Sequence, residues 1–185
     1  MSDNSNDVST AQEKQNIREE VRNLLRGFSW QERQEASKEI LISLQRLPVW
    51  QSARRLFLYY PLPTEPDIRP LFADSRPIFL PRTEGQEMIF HLFCKEDLEG
   101  EAPKFYEPPS DASSAQPDKE DLLIIPGRAF TSDGRRLGRG GGHYDRYIGN
   151  LKELPATVGL CFRCQLRDDL PMEVHDTISG IVVFA

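Results

Sequence analysis

The purely apolar runs of this chain are short, and Leu122–Ile125 is typical of them. A run of that length, bounded by turn residues, fits a strand buried on both faces, because a core helix needs a longer stretch. Such runs alternate with stretches whose apolar residues recur at helical spacing. Ile17, Val21, Leu24, Leu25 and Phe28 predict a helix from about Ala11. Ser29-Trp30-Gln31-Glu32 carries a capping-box pattern. It predicts a second helix through Ala36, Ile40, Leu44 and Leu47, stopped by Pro48. Strands are expected at Arg55–Tyr60, Pro77–Pro81, Glu87–Phe93, Leu122–Ile125, Ala156–Phe162 and Ile181–Phe184. Between them lie a short helix around Ile68–Ala73 and one from His143 or Tyr144 to about Leu154. Residues 99–121, rich in Pro, Ser, Asp and Glu, read as a long surface connection. The alternation predicts an α/β protein with a mainly parallel sheet. Ligands of such sheets bind beyond the carboxyl ends of the strands. That singles out the loops after Tyr60 and after Ile125.

At 185 residues the chain fits one domain, and we expect residues 12–185 to form it behind a disordered polar segment at 1–11. Acidic side chains outnumber basic ones, 29 to 23, which argues against a general nucleic-acid-binding surface. No apolar run approaches the ~20 residues of a membrane helix. Met1–Thr10 lacks the apolar core of a secretory signal. Cys94, Cys161 and Cys164 are too few and too odd in number for a disulfide framework. The expectation is a cytoplasmic monomer acting on a small molecule, with neither nucleic acid nor membrane as partner.

The stretch Gly127–Arg146 (GRAFTSDGRRLGRGGGHYDR) is the most unusual of the chain. Gly138, Gly140, Gly141 and Gly142 sit among Arg135, Arg136, Arg139 and Arg146, with Asp145 the one acid from Arg135 onward. Glycines let backbone N–H groups approach a ligand, a following helix directs its positive end there, and arginines match phosphate oxygens. The segment reads as a polyphosphate cradle, although it fits neither GxxxxGK[ST] nor GxGxxG. A flexible solvated loop is the plainer alternative. Asp145 suits a cap or dipole partner of the helix, or a Mg²⁺ ligand beside phosphates.

Asp121–Phe130 followed by Gly134–Arg146 resembles the signature of the 5-formyltetrahydrofolate cyclo-ligase family. Lys14-Gln-Asn-Ile-Arg18, Tyr60-Pro-Leu-Pro-Thr-Glu65, Gln165, Leu170-Pro171 and His175-Asp176 are similar to further family patterns, in the family's order. The resemblance implies a three-layer α/β/α domain that binds MgATP and a reduced folate. It implies closure of 5-formyltetrahydrofolate to 5,10-methenyltetrahydrofolate, with the γ-phosphoryl group passing to the formyl oxygen. By the same resemblance Lys14 and Arg136 are catalytic cations. Lys14, Arg18, Arg136, Gly138, Arg139, Gly140, Gly141, Gly142, His143 and Tyr144 bind ATP. Tyr60, Glu65 and His143 contact the folate, and Asp145 and Asp176 bind the metal. His143 stands where the family usually has a tyrosine, and Thr131 where it usually has an aspartate. Read without the resemblance, Lys14 and Arg18 are an exposed helix face, Glu65 a solvated turn residue and Tyr60 a core residue.

Weaker signals are read as structural. Cys161-Phe-Arg-Cys164 lacks the second pair a zinc site needs. His91 alternates with Phe90 and Leu92 and is expected to face solvent. Two other functions would use the same Gly/Arg segment. A sugar-phosphate isomerase or acyl-CoA-type enzyme accounts for the anion cradle alone. An RNA-binding module would use Arg139-Gly-Gly-Gly, which occurs once and inside an ordered pattern. A diverged family member that binds folate without turnover is a third reading.

Overall fold

The computed structural model describes residues 4–98, 105–174 and 176–185. Its framework is a seven-stranded sheet. The strands are β1 (Leu56–Phe57), β2 (Ile78–Glu84), β3 (Glu87–Leu92), β4 (Ser114–Ala115), β5 (Leu122–Ile125), β8 (Ala156–Cys161) and β9 (Ile181–Phe184), in the order β4-β3-β2-β1-β5-β8-β9. β2, β1, β5, β8 and β9 run parallel, and β3 and β4 add an antiparallel edge. Side-chain alternation divides the core in two. Leu56, Leu58, Leu122, Ile124, Val158 and Leu160 pack with Val21 and Leu25 of α1 (Asn4–Gly27) and Ile40 and Leu44 of α2 (Trp30–Gln45). Phe57, Leu123 and Ile125 pack on the other face with Ile148 of α4 (His143–Gly149). The result is the three-layer α/β/α arrangement, with β5 buried along its whole length.

Ser29 and Glu32 cap α2 reciprocally, Glu32 N donating to Ser29 Oγ and Ser29 N to the Glu32 carboxylate. Pro48 stops α2 and also opens α3 (Pro48–Ser52), where its missing N–H and fixed φ suit the first turn. α1 starts at Asn4 rather than near Ala11. No Pro or Gly interrupts residues 4–11, so the helix extends beyond its apolar stripe and into the segment expected to be disordered.

Further expectations are corrected. The 99–121 connection is not purely a loop. It contains β4, which pairs with β3 through backbone bonds that need no apolar pattern. α4 ends at Gly149 rather than Leu154, where the Asn150 N–H turns back to the last carbonyls. The Gly/Arg segment begins with a hairpin of β6 (Ala129–Phe130) and β7 (Arg136–Leu137), outside the main sheet. His91 is also turned inward. It is 5% exposed, and its Nδ1 lies 2.7 Å from the Ala112 carbonyl oxygen.

Candidate active site

The loops after β1 and β5 open beyond the carboxyl end of the sheet, and the β6–β7 hairpin folds back over them. The register Phe130↔Arg136 returns Arg136 to the carboxyl end of β5, where its guanidinium donates to Pro126 O at 3.0 Å. The following glycine loop divides this end of the molecule into two clefts, whose walls share Gly138, Gly142 and Asp145. Gly140 (φ +106°) and Gly142 (φ +64°) hold left-handed backbone conformations that other residues adopt at a cost.

The first cleft encloses about 300 Å³ between Tyr59, Tyr60, Glu65, Met88, Tyr106 and Tyr144. Glu65 is buried. It accepts Leu62 N at 2.9 Å and takes a two-pronged ion pair from Arg139, Nε at 3.1 Å and a terminal nitrogen at 2.8 Å. The Tyr60 ring lies against Phe72 and Tyr106, so it is both a core and a cleft residue. His143 closes one edge, its Nε2 3.3 Å from Gly85 O in the β2–β3 turn. Glu107 accepts from both Thr83 N and Thr83 Oγ1, tying the segment at 105–107 across the cleft mouth. Burial, and then the nearby Glu65 carboxylate, push the Tyr59 and Tyr144 phenols upward, so both are neutral at any ordinary pH.

The second cleft is larger, about 1100 Å³, and is lined by Lys14, Arg18, Gly140, Arg146, Glu173 and Asp176 among others. Several of its cationic groups are already engaged. Lys14 Nζ, almost fully buried, lies 2.7 Å from Glu173 and 2.6 Å from Asp176. Arg18 Nε donates to Gly138 O at 3.0 Å, and Arg146 donates to Gly141 O at 2.7 Å. On the shared wall Arg136, 4% exposed, meets Asp145 at 2.5 Å, and Asp145 also accepts Thr177 N at 3.1 Å. Burial alone would raise the Asp145 carboxyl. The Arg136 charge and the Thr177 amide outweigh it and hold the group below the usual carboxylate range.

The structure brings every candidate residue to one cleft or the other. Lys14, Arg18, Gly140 and Asp176 line the second; Tyr60, Glu65, Arg136, Arg139, Gly141, His143 and Tyr144 line the first. Arg136, Arg139, Gly141, His143 and Tyr144, expected beside ATP, therefore sit on the smaller cleft, with Arg136 touching the shared wall through Asp145. Among the described residues no three His, Cys, Asp or Glu side chains converge as a metal cage. His175 lies outside the described residues. Thr131, at the position noted for its departure, uses its hydroxyl locally, bonding Asp133 and accepting Arg135 N. The buried Cys161 thiol is pushed up to about 12 by burial, and Cys164 upward too, as expected of unreactive structural cysteines.

Sequence reading missed Tyr59, Glu173, Thr177 and Arg128. Tyr59 lies in an apolar run and carries no signal beyond that of a core residue. Arg128 is half-buried among Arg139, Arg22 and Arg18; burial and their like charges lower its guanidinium pKa. The run Arg128, Arg135, Arg136, Arg139 could have suggested such a cationic shoulder.

Comparison with known proteins places the chain in a family. The model of the 5-formyltetrahydrofolate cyclo-ligase family matches residues 10–184. The 5-formyltetrahydrofolate cyclo-ligase of Haemophilus influenzae is 28% identical over 175 residues, covering 89% of this chain and 94% of its own. That of Escherichia coli is 28% identical over 173 residues, covering 88% and 95%. The solved structure of Aquifex aeolicus 5,10-methenyltetrahydrofolate synthetase superposes with a TM-score of 0.78 at 28% identity, over 92% of this chain and 89% of that one. The chain belongs to the 5-formyltetrahydrofolate cyclo-ligase family.

Proposed function

We propose that this enzyme converts 5-formyltetrahydrofolate to 5,10-methenyltetrahydrofolate with MgATP, releasing ADP and phosphate. The observation that carries the reading is the pair of clefts sharing one wall at Gly138, Gly142 and Asp145. A partly aromatic cleft with a buried acid suits a pterin: aromatic rings pack on it and Glu65 accepts from its N–H groups. A larger cleft lined by Lys14, Arg18 and glycine backbone suits a triphosphate. A reaction joining the two ligands belongs at their common wall.

There the formyl oxygen attacks the γ-phosphorus and ADP leaves. N10 then attacks the activated carbon and loses its proton, and phosphate departs with the former formyl oxygen. Such a transfer calls for positioning and charge neutralisation rather than a protein nucleophile. Arg136 supplies fixed positive charge beside the shared wall. Lys14 and Arg18 exchange their present partners for phosphate oxygens. Glu65 and Tyr60 hold the folate ring, and His143 closes the folate side.

Asp145 and Asp176 would hold Mg²⁺. Their donor set fits an ion that takes one or two carboxylates and draws its other ligands from phosphate and water; it does not fit a resident protein cage. Mg²⁺, when bound, screens phosphate charge.

The test follows methenyltetrahydrofolate absorbance with MgATP and 5-formyltetrahydrofolate, for the wild type, Arg136→Ala and Asp145→Ala. Growth in the wild type that requires ATP and is abolished by both substitutions is expected. A folded wild type without turnover would overturn the reading and leave folate binding without chemistry.

A further inference from the structure

Among the described residues, three buried side-chain atoms on the first cleft's wall have no hydrogen-bond partner: Tyr59 Oη, Tyr144 Oη and Arg136 Nε. Tyr59 is 3% exposed and Arg136 4%. Their other polar contacts are made elsewhere. Arg136 gives its terminal nitrogens to Pro126 O and Asp145, which leaves Nε unused. The Arg136 guanidinium lies 5.8 Å from the Tyr144 ring centroid, so two of the three atoms belong to one cluster. The Glu65 carboxylate interacts electrostatically with both tyrosines, yet its hydrogen bonds go to Leu62 and Arg139.

An unsatisfied buried donor costs stability, and native structures hold few of them. Three on one cleft wall mark a place where a ligand completes the bonding. Arg Nε can only donate, and both phenols carry their protons. The complement of such a set is an oxygen acceptor. Near its reacting end the folate offers that chemistry in its formyl group and in its pterin ring carbonyl.

We propose that Tyr59, with Tyr144 and Arg136 Nε, forms a donor pocket for a carbonyl oxygen of the folate, and that the Tyr59 hydroxyl fixes the substrate's register against the shared wall. The proposal rests on the cyclo-ligase reading. It adds a substrate-positioning role to a residue whose ring is otherwise part of the hydrophobic core.

Tyr59→Phe removes the hydroxyl and keeps the ring. A residue present only for packing would lose nothing, whereas a donor to substrate would lose affinity while the free protein sheds an unsatisfied group. We expect the KM for 5-formyltetrahydrofolate to rise about tenfold or more, the KM for ATP to stay put, and the thermal midpoint of the free protein to hold or rise. Tyr144→Phe should act in the same direction. Direct binding without ATP then compares 5-formyltetrahydrofolate with 5-methyltetrahydrofolate, which keeps the ring carbonyl and lacks the formyl oxygen. Weakened binding of both by Tyr59→Phe identifies an oxygen the two share, as the ring carbonyl is; weakened binding of the formyl compound alone identifies the formyl oxygen. Unchanged folate affinity, or weaker affinity together with a lower midpoint of the free protein, overturns the proposal. Because binding is read without ATP, a wild type that binds folate but does not turn it over would sink the cyclo-ligase reading separately.

Discussion

The two clefts that meet at Asp145 are built on opposite plans. The smaller one is walled largely by aromatic rings and, beside its Glu65–Arg139 ion pair, leaves polar atoms open: Tyr59 Oη, Tyr144 Oη and Arg136 Nε await a partner. The larger one has several of its cationic groups already engaged, Lys14 with Glu173 and Asp176, and Arg18 with a carbonyl. A ligand of the first gains bonds that nothing else makes. A ligand of the second must replace ion pairs. Recognition in the first therefore depends on shape and hydrogen bonding, and in the second on charge exchange, which salt weakens.

The largest break falls on the wall the clefts share. Arg136→Ala strands the mostly buried Asp145 carboxylate, so we expect a stability loss of about 3–5 kcal/mol by chemical denaturation, alongside abolished turnover. Asp145→Asn should be milder in stability, since the amide still meets Thr177 N through its oxygen.

Lys14→Met comes next and should separate the clefts. It removes the cation buried against Glu173 and Asp176, and we expect the KM for ATP to rise by about 10- to 100-fold, as for a lost charge-assisted contact, with the folate KM within about twofold. Raising salt should mimic this asymmetry in the wild type. Equal changes in both KM values would show that the clefts do not work independently.

The adjacent glycines give a finer test. Gly140 lines only the second cleft and Gly141 only the first. A Cβ on Gly140 makes only an ordinary contact with the Arg18 guanidinium at 3.9 Å but must hold φ +106°, while one on Gly141 comes within 2.8 Å of His143 Nδ1. We expect Gly140→Ala to raise the ATP KM and Gly141→Ala the folate KM, each by about three- to tenfold, from roughly 1 kcal/mol of strain or displacement.

The smallest effect is on acid stability. The folded-state pKa of Asp145 lies below its unfolded value, so its contribution is present above the unfolded value near ~4 and is lost as pH falls through the lowered one. A denaturation series between about pH 5 and 2 should show a shallower loss for Asp145→Asn than for the wild type. Identical slopes would remove Asp145 from the account of the shared wall.

Local chemistry made part of this legible in the sequence. The Ser29/Glu32 cap, the β5 run and the glycine loop are contiguous signals, and each lies where its pattern indicates. The β4 edge and the β6–β7 hairpin were not legible, because two-residue strands pair through backbone atoms that composition does not record. The pairing of Lys14 with Glu173 and Asp176 spans most of the chain, and no local spacing foretells it. Tyr59 shows the limit most clearly. Its ring fits a core strand, and only the three-dimensional arrangement reveals that its hydroxyl is left without a partner.

The account turns on a group crossing the wall between the clefts. 5-Formyltetrahydrofolate labelled with ¹⁸O in the formyl group, turned over with unlabelled MgATP, reads that crossing directly by mass spectrometry of the products. The account predicts one ¹⁸O in each inorganic phosphate released and none in ADP. Phosphate carrying only unlabelled oxygen, with methenyltetrahydrofolate formed at the normal rate, would contradict it.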